Sequence, residues 1–185
     1  MVKLSIERSV SMFTTDFIKY LVHFHTDRDY FECHEILEEH WKDVDARNKE
    51  SILVGWIQLA VSQYHHRRGN FTGALRTIQK ALSILTTHKQ SIKEFGIDED
   101  KLLEAILRKK EEIELTLPYK SMNLPITDSS LLSVCERQAE KAGLIWGVDS
   151  DLSNREIIHR HSMRDRSEVI KSRLHALNQK KGSSD

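Results

Sequence analysis

Between residues 30 and 44 the apolar side chains recur at helical spacing. Tyr30, Cys33, His34, Leu37, Trp41 and Val44 stand at i, i+3, i+4, i+7, i+11 and i+14, which is one face of an α-helix. The same period returns along most of the chain, and no stretch alternates apolar and polar residues between turn signals as a half-buried strand does. Seven glycines and two prolines in 185 residues leave few places to break long helices. The chain is therefore predicted to be all-α: a compact bundle of about five helices, residues 10–117, then a linker at 118–128 and a helical C-terminal extension at 129–185, basic and frayed at its end.

Each helix has its own signals. The first spans about residues 12–25, with Phe13, Phe17, Tyr20, Leu21 and Phe24 as its stripe. The third opens at Asn48 or Glu50 and runs to Arg68. It is apolar around most of its girth (Leu53, Trp56, Ile57, Ala60, Tyr64, beside Ile52 and Leu59), so it is placed at the centre. Its polar row is Gln58, Ser62 and His65, part of which a central helix would bury. Gly69-Asn70 predicts a left-handed helix end followed at once by an N-cap, hence an antiparallel hairpin with the fourth helix. Asp98 caps a fifth helix running to about Leu117, with Leu103, Ile106, Ile113 and Leu117 inward. Residues 108–112 (Arg-Lys-Lys-Glu-Glu) read as a solvated face. Pro118 and Pro125 bracket a stretch that cannot continue the helix. Residues 131–142 form an amphipathic helix ended by Gly143, Leu144-Ile145-Trp146-Gly147 an apolar patch that docks on the body, and Ser153-Asn154-Arg155-Glu156 a capping box.

Bulk chemistry removes several functions. The 28 basic residues match the 28 acidic ones, against a dominant nucleic-acid role for the whole chain. No apolar run approaches the roughly 20 residues of a membrane helix. Two cysteines far apart, Cys33 and Cys135, suit a reducing compartment, so we expect a cytoplasmic protein. Charge is nonetheless segregated. Residues 27–50 hold nine acidic and four basic residues, residues 155–181 three acidic and eight basic. The favoured reading packs the basic tail near the acidic helices of the same chain or of a dimer mate. The weaker one has it bind nucleic acid or an acidic protein.

The chemistry-bearing residues gather in Tyr30-Phe31-Glu32-Cys33-His34-Glu35-Ile36-Leu37-Glu38-Glu39-His40-Trp41. His34 and Glu38 sit at i and i+4, so their side chains converge. With His65 as a third ligand they would suit zinc or iron, Glu35 acting as general base of a hydrolase. Against this, the zincin His-Glu-x-x-His ends here in Glu38, and the one Glu-x-x-His, Glu156 to His159, lies in the tail without a mate. The weight falls on a polar cluster of His34, Glu35, Glu38, Gln58 and His65 that sets helix register or lines a groove. No Gly-x-Ser-x-Gly or phosphate loop occurs, and adjacent Cys33 and His34 point about 100° apart. Residues 60–81 (Ala60, Gly69, Ala74, Ala81) resemble one tetratricopeptide-type hairpin, but solenoids need about three such units.

The segments 28–41, Gln58-Leu59-Ala60-Val61, Tyr64-His65, Arg68-Gly69-Asn70 and Gly73-Ala74 resemble the bacterial family labelled domain of unknown function 309. The likeness runs over residues 16–117, and the C-terminal region resembles an extension of its Bacillus-type members. The resemblance implies a helical bundle of about five helices and no established activity. His34, Glu35, Glu38, Gln58 and His65 carry over as motif positions only. The sequence leans away from an enzyme, with no cofactor expected. It leans toward a protein partner or a homodimer, with no membrane, and keeps nucleic acid only as the weaker reading of the basic tail.

Overall fold

A computed structural model of the chain describes residues 14–160. Among these residues it holds eight α-helices and no strand, so the chain is a compact all-α fold. Phe13 and the tail beyond Arg160 lie outside the described residues.

α1 (Thr15–His25) begins where Thr14 Oγ1 accepts the Phe17 N–H. α2 (Tyr30–Asp45) begins at Asp29, whose carboxylate accepts the Glu32 N–H. Between them Arg28 adopts the left-handed region, φ +57°. α3 (Ile52–Arg67) starts from Ser51, slightly later than Asn48 or Glu50. Twelve of its residues are buried, so it is the central helix. α4 (Phe71–Thr87) packs antiparallel to it after a turn in which Gly69 takes φ +70° and Asn70 Oδ1 caps Gly73 N–H at 3.0 Å. Gly55 allows this close approach. A Cβ there would lie 2.8 Å from Leu85 Cδ2 of α4, inside any van der Waals contact.

α5 (Lys89–Glu94) is a single short helix, and α6 (Glu99–Glu114) starts from Asp98. α7 (Ser129–Lys141) starts from Asp128 and packs across α1. α8 (Arg155–Ile158) is one turn, capped by Asn154 rather than by Ser153. The core is continuous from Phe17, Tyr20, Phe24 and Trp56 through Ile78, Leu102 and Ile106 to Leu131, Val134 and Cys135. The segment 118–128 adds Met122 and Leu124 to that same cluster.

Val44, Leu117 and Lys109 lie where the pattern does not place them. Val44, on the last turn of α2, is 62% exposed. Leu117 is 44% exposed, because α6 stops at Glu114 and Thr116 turns left-handed, φ +52°. Lys109, expected on a solvated face, is buried. Its Nζ donates to the Lys120 carbonyl at 2.9 Å, pairs with Glu112 and lies over the Tyr119 ring.

Candidate functional site

α2 and α3 run side by side, the start of α2 against the end of α3. That end opens into a cavity of about 200 Å³ lined by Tyr30, Phe31 and His34 from α2 and Val61, Tyr64, His65 and Arg68 at the end of α3. Its floor is apolar and aromatic, since Tyr30, Phe31 and Tyr64 are buried. Arg68 lies over the Tyr64 ring at 5.1 Å, and its Nη1 donates to the Tyr64 hydroxyl at 3.0 Å.

His34 sits at the rim rather than within the core, with 27% of its side chain exposed. Glu35 Oε1 lies 3.2 Å from its Nδ1, and Glu38 Oε2 lies 3.7 Å from its Nε2. One imidazole is thus held between two carboxylates, one on each ring nitrogen. One ligand atom each from His34, Glu35 and Glu38 come within 4.8 Å of one another. Lys42 Nζ stands 3.3 Å from the other oxygen of Glu38. His65 shares the cavity wall, and its Nδ1 lies 3.1 Å from the Asn70 amide nitrogen. Gln58 is half-buried on α3, one turn before Val61, and is not among the residues lining the cavity. The buried polar residues of α3 are instead Ser62, Gln63, His66 and Arg67.

Beneath the cavity lies a polar layer built on arginines. Arg28, 1% exposed, donates from Nη1 to the Phe24 and Met122 carbonyls, from Nη2 to Asn123 Oδ1 and from Nε to the Val148 carbonyl, at 2.7–2.9 Å. Arg67 donates to the Arg28 carbonyl, to Ser150 Oγ and to the Ile157 carbonyl, and lies 5.0 Å above the Tyr30 ring. The Tyr30 and Tyr119 hydroxyls meet at 2.6 Å. Arg160 pairs with the buried Asp29 carboxylate and reaches Glu32 at 3.5 Å. These groups bind residues 118–160 to the bundle end from which α2 starts.

Burial sets the protonation of this layer. His25 lies under Trp146, rings stacked at 4.5 Å, and its Nε2 accepts the Leu124 N–H. Burial, then the Arg28 charge, push its pKa down to about 3, so the imidazole is neutral at pH 7. Burial likewise lowers His66 against the pull of its bond to the Leu117 carbonyl, and raises the Tyr30 hydroxyl and the Cys33 thiol well above their ordinary values.

Residues 17–77 match the family model described as Domain of unknown function (DUF309). The chain is also 42% identical over 174 residues to the uncharacterized protein YpuF of Bacillus subtilis strain 168, covering 94% of this chain and 100% of that protein. The chain belongs to this family. All of α2 and α3 lie within the residues matched to the DUF309 model, and so does every residue lining the cavity. The segment from α6 to α8 lies outside that match but within the likeness to YpuF. No solved structure matches the chain. Among the described residues no helix is long and apolar enough to cross a membrane.

Three buried cations, Arg28, Arg67 and Lys109, are not marked as buried by the sequence pattern, which sets Lys109 on a solvated face. The signal for the first was its place beside Asp29 at the head of the motif. For the other two nothing local marks burial, because each is buried by chain from residues 115–158.

Proposed function

We propose that this is a non-enzymatic interaction module of the cytoplasm. It holds a helical segment of a protein partner in the groove between α2 and α3. The observation that carries the reading is the cavity at Tyr30, Phe31, Val61 and Tyr64, open at a rim that carries His34. A volume of about 200 Å³ is below the several hundred that enclose a small-molecule ligand. It suits one or two anchoring side chains of a protein, which is how interfaces concentrate their binding energy. The α2 rim carries Glu35, Glu38 and the exposed Glu39, so the partner segment is basic as well as amphipathic. The buried free thiols Cys33 and Cys135 support a reducing compartment.

The test is photo-crosslinking in cells from a probe at His65, with a control probe at the exposed Gln79 of α4. One protein should be captured from His65 alone, and Val61→Glu should abolish the capture without lowering the melting temperature. Equal capture from both positions, or none from His65, removes the reading.

A second reading rests on the convergence of His34, Glu35 and Glu38. His34 Nε2 and Glu38 would bind a divalent metal, with Glu35 orienting the ring through Nδ1, as outer carboxylates do for metal-bound imidazoles. His65, across the same cavity, is the further candidate ligand, and hydrolysis is the reaction such a site would serve. Elemental analysis of untagged protein beside His34→Ala and Glu38→Ala decides it. Near-stoichiometric zinc or iron lost in both variants supports the metal, and its absence from the parent protein removes it.

A further inference from the structure

We infer that the chain pairs with a second copy of itself through the groove between α4 and the end of α6. This surface lies apart from the α2/α3 groove, and the inference does not rest on the reading given for that groove.

A cavity of about 300 Å³ opens between residues 71–79 and residues 113–116. Its floor is apolar: Ile113 is buried, and Phe71 and Leu75 are half-buried. Seven residues after Leu75 stands the half-buried Leu82, and seven before Glu114 the exposed Leu107, so apolar surface continues along each wall. At the mouth the chain turns. Thr116 lines the cavity at φ +52°, a left-handed conformation that a β-branched residue rarely takes. Leu115 is left 61% exposed on one side of that turn, with Leu117 exposed on the other. Apolar surface bounded by charge in this way marks a site of association.

Charge identifies the occupant. The α4 wall carries the exposed Arg76 and Lys80, one turn apart, and the α6 wall carries the exposed Glu111 and Glu114. Among the described residues Arg76 makes no ion pair, and Glu114 gives one oxygen, Oε1, to Lys110 of its own helix at 2.7 Å. A groove built for a foreign basic or acidic segment carries one sign of charge along its rim. This one has a cationic wall beside an anionic wall, so it is complementary to itself, which is what a two-fold contact between identical chains requires. A two-fold axis along the groove lays the α4 wall of each copy on the α6 wall of the other. Arg76 then meets Glu114 of the second copy, and Leu115 covers Phe71 and Leu75 of the second copy, each contact occurring twice. The exposed leucine and the hollow that receives it belong to one patch.

Equilibrium sedimentation of the full chain is the test. The parent protein should associate reversibly to twice its 21.6 kDa. Leu115→Asp changes an exposed side chain, so it should keep the melting temperature and lose the dimer. Arg76→Glu and Glu114→Arg each set two like-charge pairs at the interface, and each should weaken association by at least about tenfold. Mixed one to one, these two variants should associate as the parent does, because both contacts then join opposite charges. A photo-crosslinking probe at Gln79, on the α4 wall, should give a covalent dimer of this chain, a product distinct from the separate protein expected at His65. A parent protein that stays monomeric up to millimolar concentration overturns the inference. So does a dimer that survives Leu115→Asp, which places the contact on another face, and so do mixed variants that stay apart. Capture of a different protein at Gln79 also overturns it and gives the groove a foreign occupant. A monomer with a protein captured from His65 removes the dimer alone, and a dimer without that capture removes the α2/α3 reading alone.

Discussion

Arg28 offers the most demanding test of how the C-terminal segment is held. Its guanidinium satisfies three main-chain carbonyls and the Asn123 side chain, and links α1 to residues 122, 123 and 148. Truncation in Arg28→Ala leaves those acceptors without their donor. Losing a hydrogen bond from a charged group costs about 1.5–3 kcal/mol, but four bonds around one side chain do not add in full, so about 3–5 kcal/mol is expected. That is a large share of the roughly 5–15 kcal/mol that stabilises a domain. The backbone supplies an internal control. Arg28 sits at φ +57°, where a Cβ costs about 1 kcal/mol, so Arg28→Gly should be more stable than Arg28→Ala by about that amount. Arg28→Lys keeps the charge without the planar fork and should fall between wild type and Arg28→Ala. Urea unfolding followed by far-ultraviolet circular dichroism gives the free energies. Limited proteolysis should show first cleavage moving into residues 118–128. If Arg28→Ala lies within about 1 kcal/mol of wild type, or Arg28→Gly is no better than Arg28→Ala, the account of this layer is wrong.

Two further outcomes follow from the same structure. His25 titrates near pH 3 when folded and near its ordinary 6.5 when unfolded, so the unfolded chain binds the extra proton between those values. Its stabilising contribution is complete above pH 6.5 and is lost as pH falls toward 3, at about 1.4 kcal/mol per pH unit. His25→Gln should flatten the stability–pH curve by that slope; an unchanged curve would show that His25 is not held neutral. Gly69→Ala places a Cβ where nothing lies within 4 Å but forces alanine to φ +70°. Its cost is purely conformational, about 1 kcal/mol with an unchanged urea slope, and a neutral result would show that the α3–α4 turn relaxes freely.

The helices were legible because their signals are local. The cap at Asn70, the turn at Gly69, the cap at Asp98 and the stop at Gly143 each depend on residues within one turn, and each is present. Lys109 was not legible. It lies in a run of charges on an amphipathic helix, and only the return of residues 119 and 120 across α6 buries it. The candidate site was legible in part. The i, i+4 spacing of His34 and Glu38 predicted that they would converge, and they do so at 3.7 Å. The same spacing placed His34 on the core stripe, whereas the structure sets it at the rim of an open cavity. Helical phase specifies an angle around an axis, but the depth of a side chain depends on how far the neighbouring helix stands away, and α3 parts from α2 there.

Periodicity of 3.6 residues and capping chemistry act over a few residues, so the all-α class, the central place of α3 and the α3–α4 hairpin are already written in the chain. Tertiary structure alone decided that residues 118–160 fold back over the end of the bundle, and that Arg28 and Arg67 are buried to hold them. It also decided that α2 and α3 leave a cavity between Phe31 and Tyr64. These depend on contacts between residues far apart in the chain, such as Arg28 with Val148, 120 positions away. A buried guanidinium is stable only where chain from elsewhere brings carbonyls to meet it.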